Sequence, residues 1–162
     1  MISLTLTVTG GFGLVGVANG ATAERTILRE FETEVGKIVV EAVQGVLGHD
    51  SLYKLNPEYA ARKSSFPGYR TLPGKDPDQP LILTAAMHDA VTATRSGNEV
   101  TIAVDPSKVP NAVYFDYPEY WESGEGSTSG FDGVHYLELG LIAVEHKFPQ
   151  LLVDIIVRNL GL

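Results

Sequence analysis

The chain has 162 residues, 44% of them hydrophobic, with 12 basic and 20 acidic side chains and a net charge of −8. That length supports one domain (1–162) with a real core, and no apolar run reaches the roughly 20 residues of a membrane span. The absence of cysteine excludes disulfides and thiolate metal sites. The acidic balance removes the attraction behind most non-specific nucleic-acid affinity, so tight DNA or RNA binding by this chain alone is not expected. No basic region precedes the N-terminal apolar stretch, so no signal peptide is expected.

In residues 2–9, Leu4, Leu6 and Val8 alternate with Thr5, Thr7 and Thr9, which predicts a strand with one apolar and one hydroxyl face. The glycine-rich run from Gly10 to Gly16 follows. It lacks the Lys-Ser/Thr end of a phosphate-binding P-loop, and no helix opens directly after it as a dinucleotide fingerprint requires. A flexible connection or a bending strand is the expectation there.

Residues 23–47 carry the clearest helical pattern. Ile27, Leu28, Phe31, Val35, Ile38, Val39, Ala42, Val43 and Val46 form one broad apolar stripe. Glu24, Arg29, Glu32, Glu34, Lys37 and Glu41 are placed on the opposite, polar side. Thr22 is the expected N-cap and Glu24 suits the helix dipole. Gly45 or Gly48 is the expected stop, and a stripe this wide calls for a large surface such as a sheet.

The stretch 49–80 reads as a long loop. It scatters Tyr53, Tyr59, Phe66 and Tyr69 among five prolines, with Arg62, Lys63 and Arg70 as its basic groups. A loop of this length in a compact domain is either a surface excursion or a segment that orders against a neighbour. Its aromatic content favours the second reading, with the aromatics as anchors and the basic groups as ion-pair partners.

Residues 81–105 form the expected helix-and-hairpin core. Leu83, Ala86, Met87, Ala90 and Val91 recur at helical spacing, with Thr84 as a possible cap. Val91, Ala93 and Arg95, then Val100, Ile102 and Val104, alternate with polar residues across Gly97-Asn98, a pair that tolerates the positive φ of a tight turn. Pro106 and Pro110 end the second strand. Residues 111–115 suggest a further strand, 117–122 a short helical turn and 116–133 mostly loop. Residues 131–141 fit neither period. A second amphipathic helix spans 148–160, with Pro149 in its first turn, Phe148, Leu151, Leu152, Ile155, Ile156 and Leu160 on one face, and Gly161 as its stop. The fold class is therefore α+β: a small antiparallel sheet around the central hairpin, packed by a long N-terminal and a C-terminal helix.

Candidate chemistry is sparse. His88 stands beside Asp89, but neighbouring helix positions point apart. His49, His135 and His146 lack the spacing of a zinc-protease helix, and no nucleophile elbow occurs. Asp116, Glu119, Glu122, Glu125 and Asp132 lack the regular spacing of a calcium loop and are expected as an acidic, solvated rim. Tyr117, Tyr120 and Trp121, with Glu122, fit a partner interface or a core edge better than a substrate cleft. No catalytic residue, cofactor or metal is expected.

Taken in order, these features resemble the tail-completion or neck proteins of tailed bacteriophages, a family of virion-morphogenesis components. The resemblance runs over most of 23–160. It is carried by the long first helix, then Tyr59-Ala-Ala-Arg-Lys63, then Pro80-Leu-Ile-Leu-Thr-Ala-Ala-Met-His-Asp-Ala90 opening the hairpin, then Tyr117-Pro-Glu-Tyr-Trp-Glu-Ser-Gly124, and a closing helix. Ala85 replaces a usual glycine and Met87 a usual leucine. The Arg-Pro-Phe element before the last helix is absent, with Lys147-Phe-Pro149 in its place, and the N-terminal strand and glycine run are additions. The resemblance implies a non-enzymatic structural protein of the virion, made in the host cytoplasm and assembled as a homo-oligomeric ring of six or twelve copies at the head–tail junction. It implies connector and tail proteins as partners, DNA only in passage and no membrane. A negatively charged channel would then repel DNA phosphates and let the genome slide. The alternatives are a tail-terminator or other capsid or tail protein, a small hydrolase using the carboxylates around Glu119 to Asp132, and a bacterial ligand-binding domain.

Overall fold

The computed structural model describes residues 3–9, 20–47, 86–109, 122–123 and 135–162. The glycine run 10–16, the loop 49–80, the strand expected at 111–115 and most of 116–133 lie outside the described residues, as do Thr84 and Gly48.

Three strands form one antiparallel sheet: β1 (Ser3–Thr7), β2 (Val91–Ser96) and β3 (Glu99–Val104), in the order β1-β3-β2. Val91 pairs with Val104, Ala93 with Ile102 and Arg95 with Val100, while Leu4 and Leu6 pair with Ile102 and Val100 from the other side. This register puts every large apolar strand residue on one face and leaves Ser3, Thr5, Thr7, Thr92, Thr94, Ser96 and Thr101 on the other. The hairpin turn is tighter in its demands than its sequence suggests. Gly97 alone takes a positive φ, of 61°, so the glycine is required at the first turn position and Asn98 is not, as in a type II′ turn. Asn98 instead ties the turn to the end of β1: Val8 N–H donates to its carbonyl at 2.9 Å and its side-chain amide donates to the Val8 carbonyl at 3.1 Å.

Helix α1 runs Gly20–Leu47, and its buried stripe covers the apolar face of the sheet. It starts before the expected boundary. Thr22 is not its cap: the Thr22 carbonyl lies inside the helix and accepts the Thr26 hydroxyl at 3.0 Å. No acidic residue stands in the first turn, so Glu24 does not serve the dipole there. Periodicity could not show this start, because the helix opens seven residues ahead of Ile27, its first buried position. Gly45 does not end the helix either; Leu47, 2% exposed, holds the last turn against the core. Gly36 lets α1 approach the sheet, since a Cβ there would lie 3.1 Å from the Ala93 Cβ and 3.3 Å from the Val100 Cγ1.

The helix before the hairpin, α2, covers Ala86–Ala90, and Val91 belongs to the strand rather than to its face. Gln44 of α1 fixes it by donating to the His88 carbonyl at 3.0 Å. After β3, Asp105 caps a short 3-10 turn (Pro106–Lys108) by accepting from the Ser107 N–H and hydroxyl at 3.0 and 2.6 Å.

The ambiguous stretch resolves into α3 (Tyr136–Val144), which continues through a 3-10 turn (Glu145–Lys147) into α4 (Phe148–Leu160). Tyr136, Leu137, Gly140 and Val144 of α3 are buried. It packs tightly on α1 at Gly140, where a Cβ would meet the Val43 Cγ2 at 2.4 Å and the Val43 backbone at 2.9 Å. Helix α4 has the predicted bounds, Pro149 in its first turn and Gly161 as a left-handed cap with φ 67°. It rests on α1 through Ile155, an edge-on Phe31–Phe148 ring pair at 6.5 Å, and a polar clasp in which Arg158 and Asn159 both donate to Glu30. The helices therefore pack on one another as well as on the sheet, and the fold is the expected α+β arrangement.

Candidate subunit interface

Of the residues the sequence marks for contact, Tyr53, Tyr59, Arg62, Lys63, Phe66, Tyr69, Arg70, Tyr117, Tyr120 and Trp121 lie outside the described residues. Glu122 is described, and it is not on an acidic solvated rim. It is 7% exposed, and its carboxylate accepts the Leu137 N–H at 2.9 Å while its carbonyl accepts the His135 N–H at 3.0 Å. Position 135 explains why. His135 starts α3 in the left-handed conformation (φ 52°, ψ 44°) with no side-chain cap of its own. The first amides of α3 then need an acceptor from elsewhere in the chain, and Glu122 supplies it. Burial raises the Glu122 carboxyl above its ordinary value; the hydrogen bond from Leu137 and the charge of His135 oppose that without cancelling it.

A second buried carboxylate, expected on the polar side of α1, is not there. Glu32, 3% exposed, lies in the middle of the buried stripe and pairs with Arg95 Nε from β2. Residue type misleads at this position: Glu32 is three residues from Val35 and seven from Val39, so helical geometry places it on the core side whatever its charge. This pair closes one end of a groove of about 410 Å³ between α1 and the outer edge of β2, with Gly36, Lys37, Val40 and Ala93 along its walls.

Large apolar side chains remain exposed in pairs at helical spacing: Leu139 and Ile142 on α3, Val153 and Val157 on α4. Ile142 is 54% exposed and Val153 50%. Of six apolar positions on the expected face of α4, Ile155 alone is fully buried. Leu139 and Ile142 escape a sequence reading because α3 is apolar on all sides and shows no period.

The remaining candidates form no constellation. His88 and Asp89 do meet, Nδ1 to Oδ1 at 2.9 Å, contrary to the expectation that they diverge; α2 is barely more than one turn long and sits at the surface there. Among the described residues no group of three or more histidines or carboxylates is placed to hold a metal ion. No helix of the described residues is long and apolar enough to cross a membrane. Comparison of the chain with protein-family models, with curated proteins and with solved structures finds no match.

Proposed function

We propose that this chain is a structural subunit of a phage particle, assembling into a ring at the head–tail junction that joins the connector to the tail and lets DNA pass. The observation that carries the reading is the pairing of exposed apolar residues on α3 and α4. Val153 and Val157 are one turn apart, as are Leu139 and Ile142 within a turn's spacing, so each pair forms a stripe on its helix rather than a scatter. Such stripes mark surfaces that meet another protein. The ordered motifs between 23 and 160 supply the family, and the net charge of −8 suits a passage for DNA. Subunits of a ring meet through two different patches, one on each side of every copy.

Negative-stain images test this directly. Purified protein is expected to form annular particles, and antibody against it to label the neck of virions. A strictly monomeric protein that is absent from virions would overturn the proposal.

A further inference from the structure

We infer that neighbouring copies join edge to edge through their sheets, β1 of one copy lying parallel to β2 of the next. This rests on the ring reading and names the contact that would build it.

Among the described residues β3 is paired on both sides and β1 and β2 are the two edges. Both run antiparallel to β3, so they are parallel to each other. A copy brought by rotation to the β2 edge therefore presents its own β1 in parallel. The hydrogen-bonding phase agrees. The two-residue turn makes Ser96–Glu99 a mutually bonded pair, and with it Thr94–Thr101 and Thr92–Ala103. The amides and carbonyls of Val91, Ala93 and Arg95 then face outward. On β1, the Val8–Asn98 bond fixes the opposite phase, so Ser3, Thr5 and Thr7 face outward. In a parallel ladder an outward residue sits beside an inward one. Thr5 of one copy thus lies beside Thr94 or Thr92 of the next, and Leu4 beside Ala93 or Val91. Hydroxyl meets hydroxyl on one face and alkyl meets alkyl on the other, so both faces continue across the junction.

Within their own residues, neither edge strand carries the usual protective charges or prolines. β1 has no charge and no proline, and β2 has a single charge, Arg95, next to the turn. The apolar character of β1 also suits this edge. The groove beside β2 is walled by Gly36 and Val40; its buried carboxylate, Glu32, is already paired with the partly exposed Arg95, and Lys37 at its wall is paired with Glu34. A strand that brings Leu4 and Leu6 buries no unpaired charge there. The result is a heterologous contact, which closes into a ring or extends into a filament but cannot stop at two copies.

The chain has no cysteine, so cross-linking is unambiguous. Within one copy Thr5 and Thr94 flank Thr101, two strand spacings apart; that is about 9.6 Å, beyond the roughly 7 Å a disulfide spans. The double variants Thr5→Cys/Thr94→Cys and Thr5→Cys/Thr92→Cys of the full chain are oxidised and run without reductant. One of them is expected to give a ladder of covalent oligomers, and each single variant none. Ala93→Pro removes one outward amide and no bond within the sheet, so its circular dichroism is expected to be unchanged. The concentration for half-assembly should rise about tenfold or more. Rings that form without a ladder and persist in Ala93→Pro would overturn this contact and leave the ring reading intact. A protein that is monomeric at every concentration would overturn both, and a covalent dimer from Thr5→Cys alone would replace this contact with a two-fold one.

Discussion

A methyl group at position 140 would collide with the backbone of Val43, and backbone does not yield as a flexible side chain does. Gly140→Ala is therefore expected to cost about 2–3 kcal/mol by forcing α3 away from α1. Thermal or denaturant unfolding measures it, and Gly45→Ala is the control: its added Cβ meets nothing within 4 Å. It should stabilise the helix by about 0.5–1 kcal/mol. Glu122 makes a second prediction, with a definite sign. Its folded-state carboxyl is raised above the ordinary 4.5, so its proton is held more tightly in the folded chain. The stability this brings is fully present below the ordinary value and lost as pH rises through the raised one. Relative to Glu122→Gln, which cannot titrate, the wild type should gain stability as the pH is lowered from neutral towards 4.5. Asp105 works in the other direction. Hydrogen bonds from Ser107 hold it below its ordinary value, so its contribution is present above that value and lost on further acidification. Glu122→Ala should cost about 1–2 kcal/mol at neutral pH, because the first amides of α3 lose their acceptor. A Gln variant as damaged as the Ala variant would show that the charge, and not the oxygen, makes the cap.

The elements differ in how openly the chain declares them. The hairpin and α4 are legible because their signals are local: an alternating pattern around Gly97, and Pro149 and Gly161 at the two ends of one apolar stripe. α3 is illegible for the opposite reason. Leu137, Leu139, Leu141 and Ile142 surround the helix, so no face stands out, and its cap comes from a residue 15 positions away. The charge of Glu32 points to the polar side of α1, while the Arg95 that pairs with it lies 63 positions further on. Contacts of that separation leave no mark on periodicity. The same pair makes a prediction for the packing of α1 on β2. Arg95→Ala leaves a buried carboxylate alone and should cost about 1–3 kcal/mol, the partial exposure of the arginine placing it below a fully buried pair. A double change, Glu32→Leu with Arg95→Met, should recover most of that loss. Recovery in the double-mutant cycle indicates that the pair sets the register of helix and hairpin more than the stability of the fold; a double variant worse than Arg95→Ala would contradict it.

At the scale of the molecule, two kinds of surface stand out among the described residues. One is the pair of strands, β1 and β2, that are the two edges of the sheet among the described residues and carry outward backbone donors and acceptors. The other is the exposed apolar stripes of α3 and α4. Together they give each copy distinct patches, which is the requirement for heterologous, cyclic assembly. Replacing Val153 and Val157 by Ser tests the helical patch apart from the sheet. Both side chains are exposed in the single chain, so unfolding should shift by no more than about 0.5 kcal/mol. Assembly, if the patch is buried between copies, should weaken at least about tenfold.

The mass of the full chain in solution, measured by sedimentation across a wide concentration range, bears most directly on the claim that this is a ring-building subunit. A closed species of six or twelve copies that grows no further at higher concentration is the predicted result. A single species of 17.5 kDa at every concentration would contradict it.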